Sequence, residues 1–170
     1  MQAWNQFYEM IGGAAATLLG LLFVSVSLNA ETILGAEHKH SRRLAEQAFQ
    51  NYLAVLVVSL LVVMPGITSV SLGYTLIWVC ASWCVWAAVR MGQAARQIQA
   101  GGSRIGPLRR YVTTLAGFGL LIYAAYLMVS GSHDYTGYIA PGVMLLLISA
   151  TIVSWDLLIK LAEGRYSRRD

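Results

Sequence analysis

Apolar runs of about 20 residues recur along this chain, the length a helix rising 1.5 Å per residue needs to cross a hydrocarbon core of about 30 Å. They lie at roughly 8–29, 48–68, 71–91, 109–130 and 138–160. Lipid offers no hydrogen bonds, so each run must satisfy its own backbone, and a helix does this within one segment. The composition agrees: 57% of the 170 residues are hydrophobic and only 12% are charged, unlike a water-soluble domain. The expected fold is all-α and polytopic, a bundle of five transmembrane helices forming one integral membrane domain over 1–170. No connection is long enough for a separate soluble domain.

The basic residues test the helix count independently. Lys39, Arg42 and Arg43 follow the first run, while Arg90, Arg96, Arg104, Arg109 and Arg110 lie between or at the ends of the third and fourth. Lys160, Arg165, Arg168 and Arg169 close the chain, and no Lys or Arg occurs in the other inter-run segments or before the first run. With five spans, every basic residue falls on one side; with four or six the set would split. By the positive-inside rule that side is the cytoplasm, which puts the N-terminus outside and the C-terminus inside. The net charge of +4 is then a topology signal with attraction to anionic lipid headgroups. No motif or aromatic-interleaved basic patch accompanies it, so nucleic acid is not an expected partner.

The first run, "EMIGGAAATLLGLLFVSVSLNA" from Glu9 to Ala30, lacks the positive n-region of an export signal and is read as a retained span. At about 100° per residue, Glu9, Gly13, Ala16, Gly20 and Ser27 share a sector roughly 60° wide, with Glu31 close by. Two roles suit such a face. Small residues let helix backbones approach closely; around an oligomer axis they leave room for water or ions, and a ring of Glu9 would concentrate cations. The wider pattern W-x-x-F-Y-x-x-x-G-G-A-A-A-x-L-x-G-L, from Trp4 to Leu21, resembles the opening of a group of small bacterial multi-span membrane proteins. That resemblance implies a bacterial inner-membrane location and no particular activity.

Asp156 in "TIVSWDLLIK" is the one acid well inside a predicted span, near a helix C-terminus where the macrodipole disfavours it. Lys160, one turn on, is the expected partner in an intramembrane ion pair, with Arg90 or Arg109 as others at similar depth. Gly142, Ser149 and Asp156 recur every seven residues, so this face is expected to point into the protein. Asp156 would also serve a proton or ion relay.

Other candidates are less organised. His133 and Asp134 lie on the same side as Glu9 and carry ligand types for a divalent cation or a proton; "EHKH", with Glu37, His38 and His40, has ligand types without ligand spacing. Glu46, Gln47, Gln50 and Asn51 are expected to cap the second helix at the interface. Cys80 and Cys84, four apart, read as small packing residues. Trp78 and Trp86 read as interface anchors. "MPG" at Met64–Gly66 is expected to end or kink the second helix, "QAARQIQA" to extend the third, and Ser103 with Pro107 to start the fourth. "SGSHDYTGYIAPG" reads as a turn-rich outer loop.

No enzyme constellation is present, neither H-E-x-x-H, G-x-S-x-G nor a phosphate-cradling loop. Asp156 with Ser149 or Ser154 comes nearest, and the expectation is a non-enzyme without a cofactor or resident metal. The leading functional expectation is a homo-oligomeric, cation-preferring ion channel or pore lined by the first helix, its partners monovalent or divalent cations. The alternatives are a non-catalytic accessory or scaffold membrane protein, and a proton- or ion-coupled transporter subunit using Asp156.

Overall fold

A computed structural model of the protein describes residues 2–30, 39–99, 106–132 and 135–166. Among these residues the regular elements are five long helices: α1 (Gln2–Leu28), α2 (Lys39–Val63), α3 (Ser69–Gln99), α4 (Gly106–Val129) and α5 (Thr136–Tyr166). Each contains a stretch long and apolar enough to cross a membrane: Trp4–Leu28, Ser41–Val63, Ser69–Gly92, Tyr111–Val129 and Gly137–Ala162.

Their ends follow local chemistry. Pro65 cannot donate to the helix behind it and Gly66 takes a positive φ of 80°, so α2 stops at Val63 and the chain turns. Thr68 then caps α3, its hydroxyl accepting from the Ser71 amide at 3.3 Å. The third helix runs on through the predicted extension to Gln99, and Pro107 sits in the first turn of α4, where its missing N–H costs nothing. At the other end of α4, Gly131 (φ 79°) closes a Schellman motif. The Ser132 amide donates to the Leu127 carbonyl at 3.1 Å and the Gly131 amide to Met128 at 3.4 Å.

Two boundaries differ from the sequence reading. The second span covers Ser41–Val63, not 48–68, because the polar residues at its start are already helical and Pro65 ends it early. As a result Glu46, Gln47, Gln50 and Asn51 do not cap α2; they lie two to three turns inside it. The last outer loop is also shorter than expected. Thr136 to Gly142 belong to α5, with Pro141 inside the helix near its start.

Consecutive helices run antiparallel, and the spatial order differs from the chain order. α1 packs on α2, α2 on α5, α5 on α4 and α4 on α3, while α2 and α3 touch only sparingly. The helix ends that carry Arg42, Arg43, Arg90, Arg109, Arg110 and Lys160 therefore share one end of the bundle, called here the basic end. The apolar core has two parts. One, towards the opposite end, gathers Tyr8, Val55, Leu76, Phe118, Leu121 and Leu146; the other, towards the basic end, gathers Leu22, Leu44, Tyr52, Val153 and Leu157.

Glycines set the closest helix approaches. A Cβ on Gly117 would lie 2.9 Å from Leu146 side-chain atoms and 3.2 Å from the Gly142 carbonyl oxygen, and one on Gly142 would lie 3.0 Å from Leu121 and 3.2 Å from the Gly117 carbonyl oxygen. The pair lets α4 and α5 meet nearly backbone to backbone. Gly73 does the same for α3 against Ala125 and Met128 of α4, and Gly12 for α1 against Ser59 of α2.

Candidate functional site: a polar layer and a recess inside the bundle

Between the two apolar clusters lies a layer of polar side chains from three helices. Asn51 on α2, Thr114 on α4 and Ser149 on α5 are 1–2% exposed. The Asn51 amide donates to Thr114 Oγ1 at 3.1 Å and to Ser149 Oγ at 3.3 Å. The two hydroxyls also join each other at 2.9 Å, and Thr113 Oγ1 donates to Ser149 at 3.3 Å. By helical rise Asn51 is about 15 Å from Ser41 and about 18 Å from Val63, midway through its span. An amide left unpaired there would carry a desolvation penalty of a few kcal/mol. Interhelical hydrogen bonds in membranes average only about 0.6 kcal/mol, so the layer specifies how α2, α4 and α5 register more than it stabilises them. Tyr52 and Ser154 extend it with longer contacts, Ser154 Oγ to Tyr52 OH at 3.4 Å and Tyr52 OH to Thr151 Oγ1 at 3.5 Å.

Nearer the basic end, Glu46 bridges two arginines. Oε1 accepts from Arg42 at 3.0 Å and Oε2 from Arg90 at 3.1 Å. The Arg90 guanidinium also lies 5.1 Å from the centre of the Trp86 ring, a cation–π distance. The Glu46–Arg90 pair is thus a strap between α2 and α3 where few other contacts join them.

Beside this strap is a recess. Gln47, Gln50 and Asn51 of α2 form one wall, Trp83 and Trp86 of α3 the other, and Thr114 and Phe118 of α4 the back. Trp83 and Phe118 pack with ring centres 6.2 Å apart. Two residues that line this recess each carry a buried polar atom with no hydrogen-bond partner among the described residues, Nε2 of Gln47 and Oε1 of Gln50. No family model, curated protein or solved structure matches this chain.

The small-residue face of α1 lies outside this packing. Glu9, Gly13, Ala16, Gly20 and Ser27 are all exposed, and nothing lies within 4 Å of a Cβ built on Gly13 or Gly20. The inward face is instead Tyr8, Ile11, Gly12, Ala15 and Leu22, centred about 130° away round the helix. Adjacent glycines differ: Gly12 packs, Gly13 does not. Among the described residues, the predicted face meets no other helix.

Asp156 and Lys160 are both half-buried on α5, and each already takes part in an interaction within the protein. Arg90, expected as a possible partner of Asp156, pairs with Glu46. Ser149, predicted to face inward with Gly142, does so at 1% exposure. Cys80 is buried and Cys84 half-buried, both free thiols. Trp86 lines the recess; Trp78 is exposed on the outside of α3. His133, Asp134, Glu37, His38, Ser103 and Arg104 and the side chains of His40 and Arg109 lie outside the described residues. Among the described residues no group of three or more His, Cys, Asp or Glu is placed to hold a metal.

The sequence reading missed Thr113 and Thr114. Its usable signal was depth: Asn51, Thr114 and Ser149 are polar residues inside apolar runs, and such residues in lipid seek one another.

Proposed function

We propose that the protein is a homo-oligomeric membrane assembly in which α1 faces the symmetry axis, and that the axis forms a cation-preferring path. The observation that carries this reading is the open α1 face. Four small residues and an exposed carboxylate line up along one side of a spanning helix that packs the rest of the chain with another side. A ring of Glu9 at the mouth supplies the attraction for monovalent or divalent cations. The proposed setting is the bacterial inner membrane, with the basic end in the cytoplasm against anionic headgroups.

Glu9→Gln in liposomes should lower cation flux several-fold and reduce cation-over-anion preference while leaving the oligomer intact. Gly13→Leu with Gly20→Leu should dissociate the oligomer on cross-linking or block the flux. Wild-type liposomes that pass no ions would remove the channel reading.

One observation favours the accessory or scaffold reading instead. Thr17, beside this face, directs its hydroxyl to the Gly13 carbonyl at 2.9 Å, so that hydroxyl is satisfied within its own helix rather than turned to water. Under that reading the glycine variants lose a bound partner helix and no flux exists to lose. Asp156 and Lys160, each already engaged, fit a fixed contact better than the relay a transporter would need.

Orientation has its own test. In a chain with Cys80→Ala and Cys84→Ala, Ser132→Cys should react with an impermeant thiol reagent added outside intact cells. Labelling only after permeabilisation would reverse the topology.

A further inference from the structure

The recess between α2, α3 and α4 is independent of the α1 face, and it contains a matched pair of unmet groups. Gln47 Nε2 is a donor and Gln50 Oε1 an acceptor, both buried and both without a protein partner. Gln47 is only 4% exposed. The two residues are three apart on α2, neighbours on one helix surface. A carboxylate offers no donor for Gln50 and an ammonium no acceptor for Gln47. A hydroxyl oxygen offers both from a single atom.

Size points the same way. The enclosed part of the recess has room for about one water oxygen. The recess is open on one side, so the body of a small molecule bearing that oxygen would lie towards the opening. Trp83, Trp86 and Phe118 give it apolar, aromatic walls.

We propose that the recess is a binding site for one hydroxyl group, which accepts a hydrogen bond from Gln47 Nε2 and donates one to Gln50 Oε1. Two sources carry this chemistry: a single buried water, or the alcohol head of a small membrane-dissolved amphiphile whose body lies against the tryptophans.

Trp83 and Trp86 are built-in reporters. The test uses the full chain in lipid nanodiscs with the exposed Trp4, Trp78 and Trp155 changed to Phe, titrated with 2,2,2-tribromoethanol as quencher and with hydroxyl-free bromoform as control. Saturable quenching by the alcohol, absent with bromoform and weakened at least tenfold by Gln47→Leu and by the near-isosteric Gln50→Met, identifies an alcohol. Having two variants keeps the test sound if one fails to fold.

Non-saturating quenching, together with magnetisation transfer from a long-lived water to the ¹⁵N-labelled Gln47 side-chain amide, identifies water. The proposal is overturned if neither signal appears, or if saturation is indifferent to both variants or is shared by bromoform.

Discussion

Gly117→Leu is expected to destabilise the bundle by about 1–3 kcal/mol, the usual penalty for forcing extra carbons into a packed core. The position leaves no alternative: even a single Cβ would meet Leu146 at 2.9 Å and the Gly142 carbonyl oxygen at 3.2 Å. A side chain can rotate away from an intruder, but the carbonyl belongs to the helix itself, so α4 and α5 have to separate. Gly142→Leu should act similarly from the other side. The double variant should cost less than the two single costs added, because one separation accommodates both. Gly119→Leu is the control, since nothing lies within 4 Å of it. Reversible unfolding in detergent or bicelles measures all four, and a Gly117→Leu chain as stable as the Gly119→Leu one would refute the close crossing.

Asn51→Asp is expected to cost about 3–5 kcal/mol near neutral pH, the range for an uncompensated buried charge. The substitution keeps shape and removes the donor. Thr114 and Ser149 can still supply hydroxyl hydrogens, but no cation faces Asn51 within its described hydrogen-bonded layer. Asn51→Leu should cost only about 1 kcal/mol, the sum of two average interhelical hydrogen bonds, because the hydroxyls of Thr114 and Ser149 keep each other at 2.9 Å. The contrast is the informative quantity. Equal losses for Asp and Leu would mean that the layer is open to water.

Much of this fold was legible because length and hydropathy act segment by segment. Five runs gave five helices, and the Pro65–Gly66 turn, the extension to Gln99 and the start of α4 near Pro107 all follow from local rules. What failed was relational. Glu46, Gln47, Gln50 and Asn51 look like interface residues, since polarity alone does not say whether a side chain finds water or a neighbouring helix. Gly12 and Gly13 have the same chemistry and sit 100° apart, so only the rotation of α1 decides which one packs. That rotation is set by α2, through Ser59, from a distant part of the chain. The close crossing of Gly117 with Gly142 is invisible for the same reason: each glycine is defined by the other.

The spatial order α1–α2–α5–α4–α3 has a consequence for how the bundle is made. A chain emerges in sequence order, so α2 and α4 are both made before the helix that lies between them. Until α5 arrives, Val55, Leu121 and their neighbours lack their α5 partners, and Asn51 and Thr114 wait without Ser149. The helix furthest along the chain is therefore the keystone. A ribosome that stalls, or a protease that cuts, between α4 and α5 does not trim an edge but leaves the interior unassembled.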